Sequence, residues 1–88
     1  MDPQDFTRSI LDKINDSLLD EIGPVALVLC EEAEREWNDE LEKKKIRKNL
    51  RSILLYIDRI ALYIDNPDRR ENFTNAVYEI NGLKGYKA

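Results

Sequence analysis

The stretch IRKNLRSILLYIDRIALYI, residues 46–64, decides the fold of this 88-residue chain. Its main apolar residues recur at spacings of 4, 3, 4, 3 and 4, which is the spacing of a helix seam that packs against other helices. They are Ile46, Leu50, Ile53, Ile57, Ile60 and Ile64. Ten of the 12 residues from 53 to 64 are apolar or Tyr, the exceptions being Asp58 and Arg59. The pattern predicts a helix that needs cover on more than one side.

Two sharp breaks divide the chain on either side of this stretch into further helices. Gly23-Pro24 ends a first helix that begins near Pro3, with Asp2 as a candidate N-cap, because Gly accepts a left-handed conformation and Pro starts a new helix readily. Asn66-Pro67-Asp68 combines a cap, a proline and a first-turn acid, and predicts the start of a fourth helix that Gly82 ends.

The second helix begins with six apolar residues, 25–30, and then becomes amphipathic through Ala33 and Trp37. A helix that is apolar on every side is normally covered on every side, so its start is predicted to lie inside the core. Asp39 and Glu42 have the spacing of a capping box, which predicts a turn near residues 38–39. A continuous helix through this point also satisfies the helix propensities.

These patterns predict an all-α fold, a compact four-helix domain of residues 1–82 with the second helix at its centre. Residues 83–88 are predicted to form a flexible tail. The length excludes two domains, since a single domain usually takes roughly 100–200 residues. A small domain buries only about 60% of its surface, so the apolar surface of the third helix favours an oligomer, a dimer above all.

Composition excludes most catalytic chemistry. The chain has no His and one Cys, so it has no catalytic triad, no zinc site of the usual kind and no internal disulfide. We expect no enzyme activity, cofactor or metal. The carboxylate pairs Glu32/Glu36 and Asp16/Asp20 are expected to be solvated, and Cys30 is expected to be a small buried hydrophobe. With no secretion signal and no apolar stretch near the ~20 residues of a membrane span, we expect a cytoplasmic protein.

The function predicted from these features is protein–protein interaction, as a regulatory or scaffolding adaptor that self-associates through the third helix. Trp37 is predicted to lie either at the rim of the core or at the interface, since Trp is enriched at both, and it is included among the interface candidates. The candidates are Trp37, Ile53, Tyr56, Ile57, Ile60 and Ile64. The adjacent Asp58 and Arg59 are predicted either to lie on an exposed edge of the helix or to form a partly buried ion pair that orients a partner.

A basic run offers an alternative function. Residues 31–42 hold seven acids and one base, whereas residues 43–51 hold six bases and no acid. Clustered Lys and Arg neutralise phosphates, so this run is a candidate nucleic-acid site. The net charge of −4 and the acidic block beside the run weigh against it. The six bases are Lys43, Lys44, Lys45, Arg47, Lys48 and Arg51.

The order of several motifs resembles a small helical domain of bacteria, common in cyanobacteria, that occurs at the ends of some serine/threonine kinases and signalling proteins and as short free-standing proteins. The matching positions span roughly residues 14–80; they are Leu18, Gly23, Pro24, Val25, Ala26, Leu29, Ala33, residues 60–64, Arg70 and Phe73. Ile60-Ala61 stands where that domain has Leu-Ala. The resemblance implies a non-catalytic regulatory or docking module and carries over no catalytic residue.

Overall fold

The computed structural model describes residues 3–80 and residue 83, with side chains from Phe6 onward, and these residues form four α-helices. Helix α1 is Pro3–Ile22, α2 is Val25–Lys44, α3 is Leu50–Ala61 and α4 is Pro67–Tyr78. The described residues contain no strand, so the prediction of an all-α four-helix domain is confirmed. The predicted N-cap, Asp2, lies outside the described residues.

The two predicted breaks are present, and local backbone chemistry explains both. Gly23 has φ +83°, a left-handed conformation that an L side chain rarely adopts, and its N–H donates to Leu19 O at 2.8 Å. Pro24 then precedes the first residue of α2. At the other break, the Asn66 side chain accepts hydrogen bonds from the backbone N–H groups of Asp68 and Arg69. Gly23 therefore closes the end of α1, and Asn66 caps the start of α4.

The predicted turn near residues 38–39 is wrong, because α2 continues without a break to Lys44. No Gly or Pro interrupts this stretch, and the exposed Asp39 and Glu42 are tolerated in a helix interior. The helix ends instead at Lys45, which is left-handed with φ 56°. The following helix starts later than predicted, at a reciprocal capping box between Asn49 and Ser52.

Helices α1 and α3 each pack against the three other helices, whereas α2 packs against α1 and α3 and touches α4 only weakly. The prediction that α2 is the central helix is therefore wrong. One side of α2 is exposed to solvent, as the high exposure of Val25, Leu27 and Val28 shows. Only one stripe of α2 is buried, at spacings of 4, 3, 4 and 4; this stripe consists of Ala26, Cys30, Ala33, Trp37 and Leu41. Cys30 is 5% exposed, which confirms it as a small buried hydrophobe.

The C-terminal boundary needs one correction. Leu83, predicted as the first residue of a flexible tail, is fully buried, and its N–H donates to Ile80 O at 2.9 Å. A leucine that fills the core gains apolar burial that a frayed tail would lose. The rest of the predicted tail, residues 84–88, lies outside the described residues.

Arg70 and Phe73, two positions of the resemblance, have structural roles at the α3–α4 junction. The Arg70 guanidinium donates two hydrogen bonds to Ile64 O, at 3.1 Å from Nε and 2.7 Å from Nη2. Phe73 lies one turn further along α4 and is fully buried. Ile64 follows the end of α3, so its carbonyl has no partner within that helix, and the charged Arg70 side chain supplies the donor. The spacing of the two residues therefore fixes how α4 docks on α3.

Candidate interaction surfaces

The six predicted interface residues lie in the core of the single chain, which corrects their assignment. Each is at most 2% exposed: Trp37, Ile53, Tyr56, Ile57, Ile60 and Ile64. The α3 seam packs against α1, α2 and α4, which together cover it. No partner can reach these side chains while the domain is folded. Only Leu55 and Leu62, on the outer side of this region, remain largely exposed.

The six bases of the candidate nucleic-acid run lie at the end of α2, in the α2–α3 connector of residues 45–49, and at the start of α3, and all are exposed. They do not form an uninterrupted basic surface. Lys44 Nζ lies 2.8 Å from Glu40 Oε1, and Lys43 and Lys44 line a groove together with Glu36, Asp39 and Glu40. Neighbouring carboxylates repel phosphate, so this placement weakens the nucleic-acid interpretation.

Arg59 joins α3 to the acidic part of α2. Its Nη1 lies 2.9 Å from Glu36 Oε2, and its Nη2 contacts Glu40 Oε2. Asp58 is exposed and makes no ion pair within the described part of the chain, so the two adjacent residues do not pair with each other. The hydrogen bond from Lys44 and the charge of Arg59 lower the pKa of the Glu40 carboxyl. The ion pairs on this side of α2 thus belong to the packing of α3 on α2.

A polar network links α1, α2 and α3 at the edge of the core, running from the buried Tyr56 to the exposed Arg8. The Tyr56 hydroxyl donates to Asn15 Oδ1 at 2.6 Å, and Asn15 Nδ2 donates to Glu34 Oε2 at 3.2 Å. Arg8 Nη1 completes the network with a 2.6 Å contact to Glu34 Oε1. Burial raises the pKa of the Tyr56 hydroxyl, and the nearby Cys30 and Glu34 add to the effect. The network helps to fix the relative rotation of the three helices, because its hydrogen bonds form only when Asn15, Glu34 and Tyr56 face one another.

We expect Tyr56→Phe to lower the free energy of unfolding by about 1–2 kcal/mol, since Asn15 loses its donor in a buried site. The effect depends on pH. The folded pKa of Tyr56 is raised, so its contribution is fully present below the unfolded pKa of about 10 and is lost as pH rises above it. Urea unfolding of both proteins at pH values on either side of 10 measures the two effects.

Burial also raises the pKa of Tyr63, Tyr78 and Cys30, so the alkaline loss of stability does not come from Tyr56 alone. The difference between wild type and Tyr56→Phe isolates the Tyr56 contribution, and this difference should shrink above pH about 10. A difference that stays constant with pH would show that Tyr56 is not held protonated by the fold.

The described residues contain no group of three or more His, Cys, Asp or Glu side chains arranged to hold a metal ion. Of the carboxylate pairs in the sequence, Glu32 and Glu36 are both exposed, as are Asp16 and Asp20. Glu36 instead pairs with Arg59. These acids are surface charges of the helices.

The start of α2 carries three exposed apolar side chains, which corrects the prediction that this start is buried. Val25 is 53% exposed, Leu27 64% and Val28 65%. The first turns of α2 need only Ala26 and Cys30 for the core, because α1 and α3 cover one side of the helix and no helix covers the other. Leu27 borders a groove between α1 and α2, whereas Val25 and Val28 face away from the domain.

A family model described as Domain of unknown function (DUF8082) matches residues 9–84. The chain belongs to this family. No curated protein and no solved structure gives a significant match to it. No helix in the described part of this DUF8082 domain is long and apolar enough to cross a membrane.

Two features of the DUF8082 domain were missed from sequence. The outer apolar surface of α2 had a signal, because a buried stripe through Ala26, Cys30 and Ala33 leaves Val25 and Val28 on the opposite side. The network of Asn15, Glu34 and Tyr56 had none, since its members lie 19 to 41 residues apart.

Proposed function

We propose that this domain is a non-catalytic protein–protein interaction module that acts as a regulatory or scaffolding adaptor in the cytoplasm. The observation that carries the proposal is the exposed apolar start of α2, where Val25, Leu27 and Val28 are each more than half exposed within four residues. Apolar side chains grouped on a surface and bordered by charges are typical of interaction sites. The resemblance to a domain found at the ends of kinases and signalling proteins supports the same function.

The charge distribution supports this proposal over catalysis. The ionisable side chains in the core network are held in fixed hydrogen bonds between helices, which suits a structural role. Arg59 is likewise occupied by Glu36 and Glu40. The exposed apolar residues have no such internal role. Binding another protein would remove them from water and stabilise the complex.

A site-specific photocrosslinker tests the proposal. We expect a photoreactive phenylalanine derivative at position 28 to give discrete adducts in the native cell, either with a second copy or with another protein, identified by mass spectrometry. The same group at position 75, an exposed site on α4, is the matched control. Absence of adducts at position 28, or the same adducts from both positions, would overturn the proposal.

The alternative function, nucleic-acid binding through the basic run, has less support because acids line the groove that holds Lys43 and Lys44. Its own signature is a steep loss of affinity with salt. The double variant Lys44→Glu and Lys48→Glu should abolish retention on a nucleic-acid column if this surface binds phosphate. Unchanged retention would exclude it.

A further inference from the structure

The outer side of α2 carries one continuous stripe that no other helix of the described chain covers. Its members recur at spacings of 3, 4, 3, 4 and 4, and all are exposed; they are Val25, Val28, Glu32, Arg35, Asp39 and Lys43. The stripe lies opposite the buried stripe that begins at Ala26. Along the helix it reads apolar, apolar, acid, base, acid, base.

The charges of this stripe form no ion pairs within the described residues, whereas neighbouring charges on α2 do. On either side of the stripe, Glu34 pairs with Arg8, Glu36 pairs with Arg59, and Glu40 pairs with both Arg59 and Lys44. Within the residues that the structure describes, the four stripe charges, Glu32, Arg35, Asp39 and Lys43, form no ion pair. The domain therefore presents four unpaired charges of alternating sign in one line.

We propose that two copies of this chain pair antiparallel along the outer stripe of α2. A twofold axis between residues 37 and 38 places Glu32 opposite the partner subunit's Lys43 and Arg35 within one residue of the position opposite the partner subunit's Asp39. Twofold symmetry repeats each contact, so all eight stripe charges of the dimer are paired. A parallel arrangement in register would instead set each charge against its own copy. Charge complementarity thus selects a second copy and also its direction.

The apolar end of the stripe fits the same arrangement. In this register, Val25 and Val28 of each copy lie beside the α2–α3 connector of the other copy. Ile46, in the connector, is 39% exposed, and the Lys side chains around it have long apolar stems. Helix α2 has 20 residues and a length of about 30 Å, so the two ends of the stripe can be engaged together. The dimer would cover Val25 and Val28, which the single chain leaves exposed.

This inference rests on the proposed function and names its partner as the chain itself. By symmetry, Glu32→Lys replaces two attractive contacts with two repulsive ones, and so does Lys43→Glu. We expect each variant to raise the dimer dissociation constant by about tenfold or more at low ionic strength. The double variant Glu32→Lys plus Lys43→Glu restores opposite charges and should dimerise nearly as well as wild type. A mixture of the two single variants should form a mixed dimer for the same reason.

Sedimentation equilibrium at low and high salt measures these dissociation constants. Matched controls make the same charge changes away from the stripe: Glu71→Lys on α4 and Lys13→Glu on α1, both at exposed positions, should leave dimerisation unchanged. A wild-type protein that stays monomeric at low salt and high concentration would overturn the inference. So would single variants that dimerise as wild type, or a double variant and a mixture that fail to recover.

The photocrosslinker at position 28 separates this inference from the proposed function. Adducts with another protein, together with a monomeric wild type, would leave the interaction function standing and overturn the dimer. Adducts of the chain with itself that disappear in Glu32→Lys would support both. Absence of any adduct, together with a monomeric wild type, would overturn both.

Discussion

Ile57→Asp is expected to unfold the domain. Ile57 is fully buried in the α3 seam, among apolar side chains of the core. An ionised carboxylate there lies among apolar side chains and loses its hydration, at a cost of several kcal/mol, and the variant also loses the apolar burial of isoleucine. A domain of this size is stable by only about 4–13 kcal/mol. Circular dichroism of the purified variant, with urea unfolding, measures the loss.

This result decides whether the seam belongs to the core or to an interface. If the seam were an interface, Ile57→Asp would dissociate an oligomer and leave a helical monomer with normal stability. Leu62→Asp is the matched control, since Leu62 follows α3 directly and is 70% exposed. We expect it to change the free energy of unfolding by about 0.5 kcal/mol or less. A folded Ile57→Asp protein with a wild-type melting curve would contradict the structure.

Trp37→Ala is expected to lower the free energy of unfolding by about 3–5 kcal/mol, because it removes the largest side chain of the core and leaves a cavity. The indole Nε1–H also donates to Ser52 O at 2.9 Å, and the ring lies 5.5 Å from the Tyr56 ring. Trp37 therefore joins α2 to the first turn of α3. Urea unfolding followed by circular dichroism gives the change, since the variant has no other tryptophan to report by fluorescence.

Trp37→Phe separates packing from hydrogen bonding. Phenylalanine retains much of the apolar volume and loses the indole donor, and Ser52 O keeps the N–H of its own helix as a donor. We expect a smaller loss, about 1–2 kcal/mol. If Trp37→Ala cost as little as a surface substitution, its side chain would have to lie outside the core.

Much of the fold follows from local sequence signals. Gly23-Pro24 and Asn66-Pro67 mark real helix boundaries, because the left-handed Gly, the Pro and the Asn cap act within three residues of where they stand. The predicted turn at residues 38–39 is wrong, because the local signal there is too weak to end a helix. Asp39 and Glu42 have capping spacing, yet nothing local prevents the helix from continuing, and Asn49 with Ser52 provides the cap that is used.

Which apolar residues are exposed was harder to predict, because the sequence shows that a residue is apolar but not which other helix covers it. The Ile-rich seam predicts more apolar surface than one small chain can cover, but α1, α2 and α4 bury its members from Ile53 to Ile64. The six apolar residues at the start of α2 looked like core, but α2 lies on the outside and buries only one stripe. Both errors come from treating burial as a property of one helix. Burial depends on where the other helices lie.

The sequence by itself determined the helical class, the two sharp breaks and the absence of histidine chemistry, because these depend on residue type and on contacts within one turn. The tertiary structure alone decided that Ile57 and Trp37 are core and that Val25 and Val28 face solvent. It also brought Asn15, Glu34 and Tyr56 together across three helices. The physical reason is that each helix rotates to the angle that satisfies all of its neighbours at once, and that angle is not encoded in any single segment.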